Sequence, residues 1–317
     1  MTALRSGFVF GDRGGLGRVE GEPNSPADDI LVRDLLVQSL PHTEPSGMVL
    51  YVIGLGLGDE KDITLRGLEC VKSCRYLYLE YYTSVLGIDK DKLEAFYGNK
   101  IIVADRNMVE SECDMIIGNA DKDNVGFLVV GDPLCATTHI DIILRAKNQA
   151  IKVEVINNVS VMAAVAICGL QLYQYGYTVS IPLFEETWKP DSFYDRIKYN
   201  QAGGMHTLCL LDIKVKEPDY NAMSAGKLKF LPPRFMTVNV AIEQLFEIEA
   251  LRQEGVISEE SMAVGMARLG QATQVVVYGS LNELKNVDFG EPLHCLALCG
   301  SVHPLELEIL SYYRVGR

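Results

Sequence analysis

Three short stretches hold the residues best suited to chemistry. The first is Met48–Asp59, MVLYVIGLGLGD, where Gly54, Gly56 and Gly58 follow an apolar run. The second is Gly131-Asp132-Pro133 through Thr138, and the third is Asn157–Val161. Glycine lacks a Cβ, so a backbone there can adopt positive φ and lie against a ligand. The third glycine comes one residue too early for the dinucleotide fingerprint G-x-G-x-x-G. No Gly-Lys-Ser/Thr ending follows, so a pyrophosphate cradle is not supported, whereas a nucleoside-like ligand is compatible. Asp132 sits between glycine and proline, and its carboxylate is suited to a ribose hydroxyl or a positive charge. Thr137 and Thr138 add hydroxyls, and Ser160 stands at a helix start where a free N–H can take a carboxylate. Each is also an ordinary turn or cap residue when taken singly; their convergence favours a site.

Other chemistry finds less support. No serine lies in G-x-S-x-G, and the five histidines are scattered. His42 lies in the N-terminal stretch, His139 and His206 bond locally or face the surface, and His303 lies in a turn. His294 opens a strand and is the strongest ligand-contact candidate among them. No spacing marks a metal site. Trp188 packs or lies at a binding rim.

These residues need a scaffold that gathers strand ends. Strands are expected at Val49–Ile53, Arg75–Glu80, Ile101–Val103, Phe127–Val130 and Val153–Ile156. Helices are expected at Ile63–Ser73 (capped by Asp59 or Asp62), Lys90–Phe96, Val109–Asn119, Thr138–Asn148 and Ser160–Leu170. This alternation implies a mostly parallel sheet covered by helices on both faces, with a ligand crevice at the carboxyl ends of the strands. Beyond Tyr177 the strands Tyr177–Phe184, Met205–Asp212, Ser261–Leu269, Gln274–Ser280 and His294–Gly300 have fewer helices between them. Those helices fall at Ser192–Asn200, Val238–Arg252 and His303–Tyr313. The fold class is therefore α/β, divided into a loosely attached arm over 1–47, an N-terminal α/β domain over 48–172 and a mixed C-terminal α/β domain over 173–317. Ile30–Leu40 is a short amphipathic piece within the arm, and Ile213–Pro233 is a polar, lysine-rich stretch.

The 317 residues suffice for a large core. The net charge of −13 argues against general nucleic-acid binding, which needs a basic surface. No apolar run reaches the length of a membrane span. A basic start with an apolar core is missing, and acidic residues count against a transit peptide, so neither a secretory nor an organellar leader is expected. Eight cysteines without a C-x-x-C pair read as free thiols of a cytosolic protein.

Assembled, these stretches resemble the diphthine synthase family, the diphthine methyl ester synthases among the tetrapyrrole-methylase-like methyltransferases. The segments that carry the resemblance include LYVIGLGLGDEKDITLRGLE, FLVVGDPLCATTH, GLQLYQYG, GMHTLCLLDIKVKE, PPRFMTVNVAIEQL and the GEPLH…HPLELEIL ending, from Met48 to about Tyr313. The likeness implies two α/β domains clasping S-adenosylmethionine (S-adenosylhomocysteine after transfer), usually in a homodimer. Its cofactor contacts would fall on Leu57, Asp132, Cys135, Ser160, Val161, Leu211, Gly265 and His294. The implied substrate is the 3-amino-3-carboxypropyl-histidine of translation elongation factor 2, in the cytoplasm. Four methyl transfers would give diphthine methyl ester, without nucleic acid or membrane as partner. No catalytic residue is assigned: the sulfonium already carries an activated methyl group, and solvent suffices to take the amine proton. An acidic cleft would favour the cationic amine. Relatives read Gly-Asp-Pro-Phe-Gly-Ala-Thr-Thr where this chain has Leu134-Cys135, which puts in doubt any close approach that relies on glycine. The alternatives are a tetrapyrrole C-methyltransferase and a nucleoside-binding adaptor without catalysis.

Overall fold

A computed structural model describes residues 48–82, 87, 89–217, 223–224, 226 and 229–316. The expected arm over 1–47, with its Ile30–Leu40 piece, lies outside the described residues, as does part of the polar stretch after Ile213.

The first half alternates as its apolar pattern dictates: β1 (Val49–Gly54), α1 (Leu65–Ser73), β2 (Tyr76–Glu80), α2 (Lys90–Tyr97), β3 (Ile101–Ala104), α3 (Arg106–Glu110), α4 (Asp114–Ile117), β4 (Val125–Val129), α5 (Ile140–Asn148) and β5 (Lys152–Ile156). The strands form one parallel sheet in the order β3-β2-β4-β1-β5. The two-residue period of a strand sends alternate side chains to opposite faces. Leu50 and Val52 meet Phe127, Ile142 and Ile143 in one buried cluster. Ile53, Leu77, Leu79 and Leu128 meet Val71 and Leu93 in another. Both faces are thus covered, as a parallel sheet requires.

Several local details differ from the sequence reading. Thr64, not Asp59 or Asp62, caps α1 by accepting from Gly67 N. Asp62 instead accepts from Gly58 N at 2.7 Å and closes the glycine turn. The single helix expected over Val109–Asn119 is two short helices, because the Asp105 carboxylate accepts from Met108 N and starts α3 earlier. The helix expected over Ser160–Leu170 is a single α-turn, α6 (Val161–Ala164), followed by a 3-10 turn, Val165–Cys168. It stops at Gly169, whose φ of +94° suits glycine and whose missing Cβ leaves room for Ile309.

The second half carries β6 (Val179–Ile181), α7 (Ser192–Ala202), β7 (Thr207–Leu211), β8 (Ile213–Lys214), β9 (Arg234–Phe235), α8 (Val238–Arg252), β10 (Met262–Ala267), β11 (Val275–Ser280), α9 (Leu281–Leu284), β12 (His294–Leu298) and α10 (Pro304–Leu310). Its main sheet runs β11-β10-β12-β7-β6, antiparallel except for the β6–β7 pair. One face packs on α7 and α8 through Ile197, Ala241, Ile242 and Leu245. The other packs on Val165, Cys168 and Leu170 and on Leu310 of α10. The Val161–Leu170 segment therefore leaves the first sheet and lies under the second. All eight cysteines are unpaired. No helix among the described residues is long and apolar enough to cross a membrane.

Glu249 on α8 fastens the following turn. Its carboxylate accepts from Gly255 N, Val256 N and Ile257 N, and from the Tyr194 hydroxyl. Burial alone would raise its pKa, but these donors outweigh it and lower the value to about 2. A depressed carboxyl pKa adds stability in full above the unfolded value, and that stability is lost as pH falls toward the folded value. Glu249→Gln should therefore cost about 1.5–3 kcal/mol at neutral pH. In urea melts the gap to wild type should close as pH falls from the ordinary carboxyl range toward about 2.

Candidate active site

The strand order settles where the three chemical stretches meet. β1 lies between β4 and β5, so the turns leaving these three strands are neighbours at one sheet edge. The glycine turn and the Gly-Asp-Pro loop are joined by paired backbone hydrogen bonds, Gly56 N to Gly131 O at 3.2 Å and Gly131 N to Gly56 O at 2.8 Å. Gly56 and Gly131 both have left-handed φ, +75° and +79°. Asn158 locks the third turn in place by donating from Nδ2 to Gly54 O and Asp62 O, each at 3.0 Å. At Gly54 the approach is so close that a Cβ would stand 2.6 Å from Gly131 O.

A cavity opens beside this junction, with a volume of about 160 Å³. That is roughly ten times the space one water needs. From the first sheet's loops it is lined by Leu57, Gly131, Asp132, Cys135 and Thr137, and from the connecting segment by Ser160 and Val161. From the second half come Leu211, Arg268, Gln271, Leu293 and His294. Leu57 is pressed against Gly270, where a Cβ would lie 2.9 Å from Leu57 Cβ.

Seven of the eight residues expected to hold a cofactor line this cavity: Leu57, Asp132, Cys135, Ser160, Val161, Leu211 and His294. Gly265 does not. The Phe289 ring occupies the place its Cβ would take, with Cζ at 2.3 Å, so this glycine makes room for core packing. Thr138 is exposed and does not line the cavity, and Trp188 is also outside it.

The polar groups are committed in ways the sequence did not reveal. Asp132 is only 5% exposed. Its Oδ1 accepts from Leu134 N at 2.9 Å, and its Oδ2 accepts from Asn157 Nδ2 at 3.0 Å and Asn158 N at 3.1 Å. Burial would raise this carboxyl, but the three donors, helped by the Cys135 thiol, hold it below its ordinary value. Asp132 thus ties the second loop to the third. The Thr137 hydroxyl donates to Pro133 O. His139 is buried and bonds locally, with Nδ1 against the same Pro133 carbonyl. His294 Nδ1 accepts from Val238 N at the start of α8, so Nε2 carries the proton and faces Gly290 O and Glu291 O at 3.1 Å. Burial lowers the His294 pKa, which keeps the ring neutral. Both nitrogens being spent, its ring forms a wall of the cavity and is no proton acceptor.

Ser160 contrasts with these. It is buried, opens α6 and lines the cavity, and its side chain makes no capping hydrogen bond. Cys135, where the family resemblance leads one to expect glycine, is absent from the residues with positive φ; the left-handed position in the loop is Ala136, at +58°. The backbone at Cys135 therefore does not require glycine. Among the described residues that line the cavity, Asp132 is the one carboxylate and Arg268 the one guanidinium. Arg268, Gln271 and Leu293 were missed from sequence, because nothing in their local surroundings shows that they meet the loops of the first sheet.

The model of the Tetrapyrrole (Corrin/Porphyrin) Methylases matches residues 49–285, which holds all the cavity residues from the first half and most of those from the second. Diphthine methyl ester synthase of Dictyostelium discoideum is 53% identical over 272 residues, 85% of this chain and 100% of its own. The enzyme of the same name from Homo sapiens is 52% identical, over 84% of this chain and 95% of its own. The crystal structure of an Entamoeba histolytica homologue superposes with a TM-score of 0.77 at 48% identity, covering 86% of this chain and 100% of that one. With the glycine turn, the Gly-Asp-Pro loop and the two-sheet cavity all in place, the chain is a methyltransferase that belongs to the diphthine methyl ester synthase family, within the tetrapyrrole methylases.

Proposed function

We propose that this protein transfers methyl groups from S-adenosylmethionine to the 3-amino-3-carboxypropyl-histidine of translation elongation factor 2, in four steps ending at the methyl ester. The observation that carries this reading is the cavity between the two sheets, lined by seven of the residues that the family resemblance assigns to the cofactor. Its donor set suits an adenosyl sulfonium. Leu57, Val130, Val161 and Leu211 offer apolar walls for a base, and Ser160 offers a partner for a ribose hydroxyl. When bound, the cofactor supplies an activated methyl group. The chain's part is to hold it against the substrate and to exclude water, and positioning of that kind can contribute roughly 7–11 kcal/mol. None of the cavity side chains is assigned as a base. A flat tetrapyrrole is the rival substrate, with less support from the relatives named above.

Mass spectrometry of elongation factor 2 after incubation with the protein and S-adenosylmethionine tests this reading. Addition of four methyl groups to the modified histidine is expected. An unaltered factor, with methylation of uroporphyrinogen instead, would transfer the assignment to the rival substrate.

We further propose a cytoplasmic homodimer, built on the apolar surface shared by the Val161–Tyr173 segment and α10. Ile167, Tyr173, Leu305 and Tyr312 are all exposed there, Tyr173 by 78%. The two elements adjoin, since Tyr313 Oη donates to Ile167 O and Gly169 packs on Ile309. Contiguous apolar surface of this kind marks an interface. Tyr173→Asp combined with Leu305→Asp should shift the sedimenting species from dimer to monomer.

A further inference from the structure

Beside the cavity lies a second, more open groove lined by Phe235, Thr273, Glu291 and Pro292. Arg268, Gln271 and Leu293 line both spaces. Arg268 is the unusual member. Its backbone is left-handed, with φ +51°. Its Nε donates to Thr273 O and Oγ1, each at 3.1 Å. Its Nη1 donates to Phe289 O at 2.9 Å and to Glu291 O. These are neutral acceptors: they fix the plane of the guanidinium but do not neutralise it. Arg268 forms no ion pair among the described residues, although the other cavity-lining charge, Asp132, is fully engaged. Its Nη2 likewise takes no partner among them. With Nε and Nη1 committed to neutral oxygens, the guanidinium keeps its charge and has Nη2 left to donate to a carboxylate.

We propose that Arg268 is the substrate-carboxylate receptor of this enzyme, and that the outer groove admits the 3-amino-3-carboxypropyl arm of the protein substrate. This rests on the function proposed above. The arm carries a carboxylate one carbon from the amine to be methylated. Holding that carboxylate at the shared wall would present the amine to the inner cavity while the rest of the arm lies in the groove. The donor's own methionine carboxylate offers the same chemistry, but Arg268 borders the outer groove as well as the inner cavity, which favours the substrate.

The test is a pair of variants, Arg268→Gln and Arg268→Lys. S-adenosylmethionine binding is read by calorimetry, and KM and kcat are read with elongation factor 2 bearing the unmethylated arm. Arg268→Gln should raise KM for the factor about tenfold or more, as loss of one charge-assisted contact implies, with donor Kd changed less than about twofold. Arg268→Lys should recover part of that loss because it keeps the charge. To separate recognition from folding, wild type and Arg268→Gln are compared for binding the fully methylated factor before and after hydrolysis of its ester. Wild type should prefer the free acid and the variant should not discriminate. A raised donor Kd with unchanged KM would give the guanidinium to the donor, and equal preference in both proteins would leave it a loop brace; either result overturns the proposal. Failure of wild type to methylate the factor at all would instead remove the functional reading on which it stands.

Discussion

Gly54→Ala should abolish measurable cofactor binding. A Cβ at this position would stand 2.6 Å from Gly131 O, 2.8 Å from Asn158 Cβ and 3.0 Å from Pro133 Cδ. The first of these neighbours is backbone, held by its own hydrogen bond from Gly56 N, and cannot rotate away. Relief requires the glycine turn to separate from both neighbouring loops, which are the loops that line the cavity. Overpacking of this kind costs about 1–3 kcal/mol of stability. The effect on binding should be larger, because the cavity walls themselves move. Gly98→Ala is the matched control. Unlike Gly54 it has a left-handed φ, +72°, but no atom lies within 4 Å of the new Cβ. It should cost roughly 1–2 kcal/mol of stability for the backbone conformation alone and leave calorimetric binding of S-adenosylmethionine intact. Equal binding by Gly54→Ala and wild type would show that the three loops need not close as tightly as they do here.

Asp132→Ala should weaken both folding and binding, and the coupling of the two is what the structure adds. The carboxylate is the common acceptor for Leu134 N, Asn157 Nδ2 and Asn158 N. Removing it leaves buried donors without a partner and frees the second loop from the third. A loss of about 1.5–3 kcal/mol in unfolding free energy at neutral pH is expected. At least about tenfold weaker donor binding should accompany it, each factor of ten being 1.4 kcal/mol. Asp132→Asn should fare little better, since an amide places one N–H₂ against donors whichever way it turns. The pH dependence has a definite sign. Because the folded carboxyl lies below its ordinary value, the stabilisation is complete above the unfolded pKa and disappears as pH falls through the folded one. Urea melts of wild type and Asp132→Ala should therefore converge in acid. A variant that bound the donor poorly but melted like wild type would show that the carboxylate serves the ligand and not the loops.

Strand and helix identities were legible because they depend on neighbours a few residues away. Val238–Arg252 reads as a helix from its own spacing, and the structure places α8 over the same residues, with Thr237 capping it through Val240 N. The Met48–Asp59 run reads as strand and glycine turn for the same reason: a continuous apolar run and residues without Cβ are local facts. Where local signals competed, local reading erred. Asp59, Asp62 and Thr64 are all suitable caps for α1, and only the contact of Asp62 with Gly58 N leaves the role to Thr64. Gly265 comes from the family resemblance and not from its local sequence, and only the structure shows the Phe289 ring packed against it.

The sequence by itself determined which residues sit at strand ends and that such ends gather at one edge of a parallel sheet. It also carried the family likeness, which named seven of the residues that line the cavity. The tertiary structure alone decided that β1 lies between β4 and β5, which sets three particular turns side by side. It also decided that Asp132 and His294 spend their polar atoms on the protein, and that Arg268 arrives from the second sheet with its charge unpaired among the described residues. The physical reason is separation along the chain. Asn158 reaches Gly54 O across 104 positions and Val238 N reaches His294 across 56, and no local pattern of residue types records who meets whom at such distances.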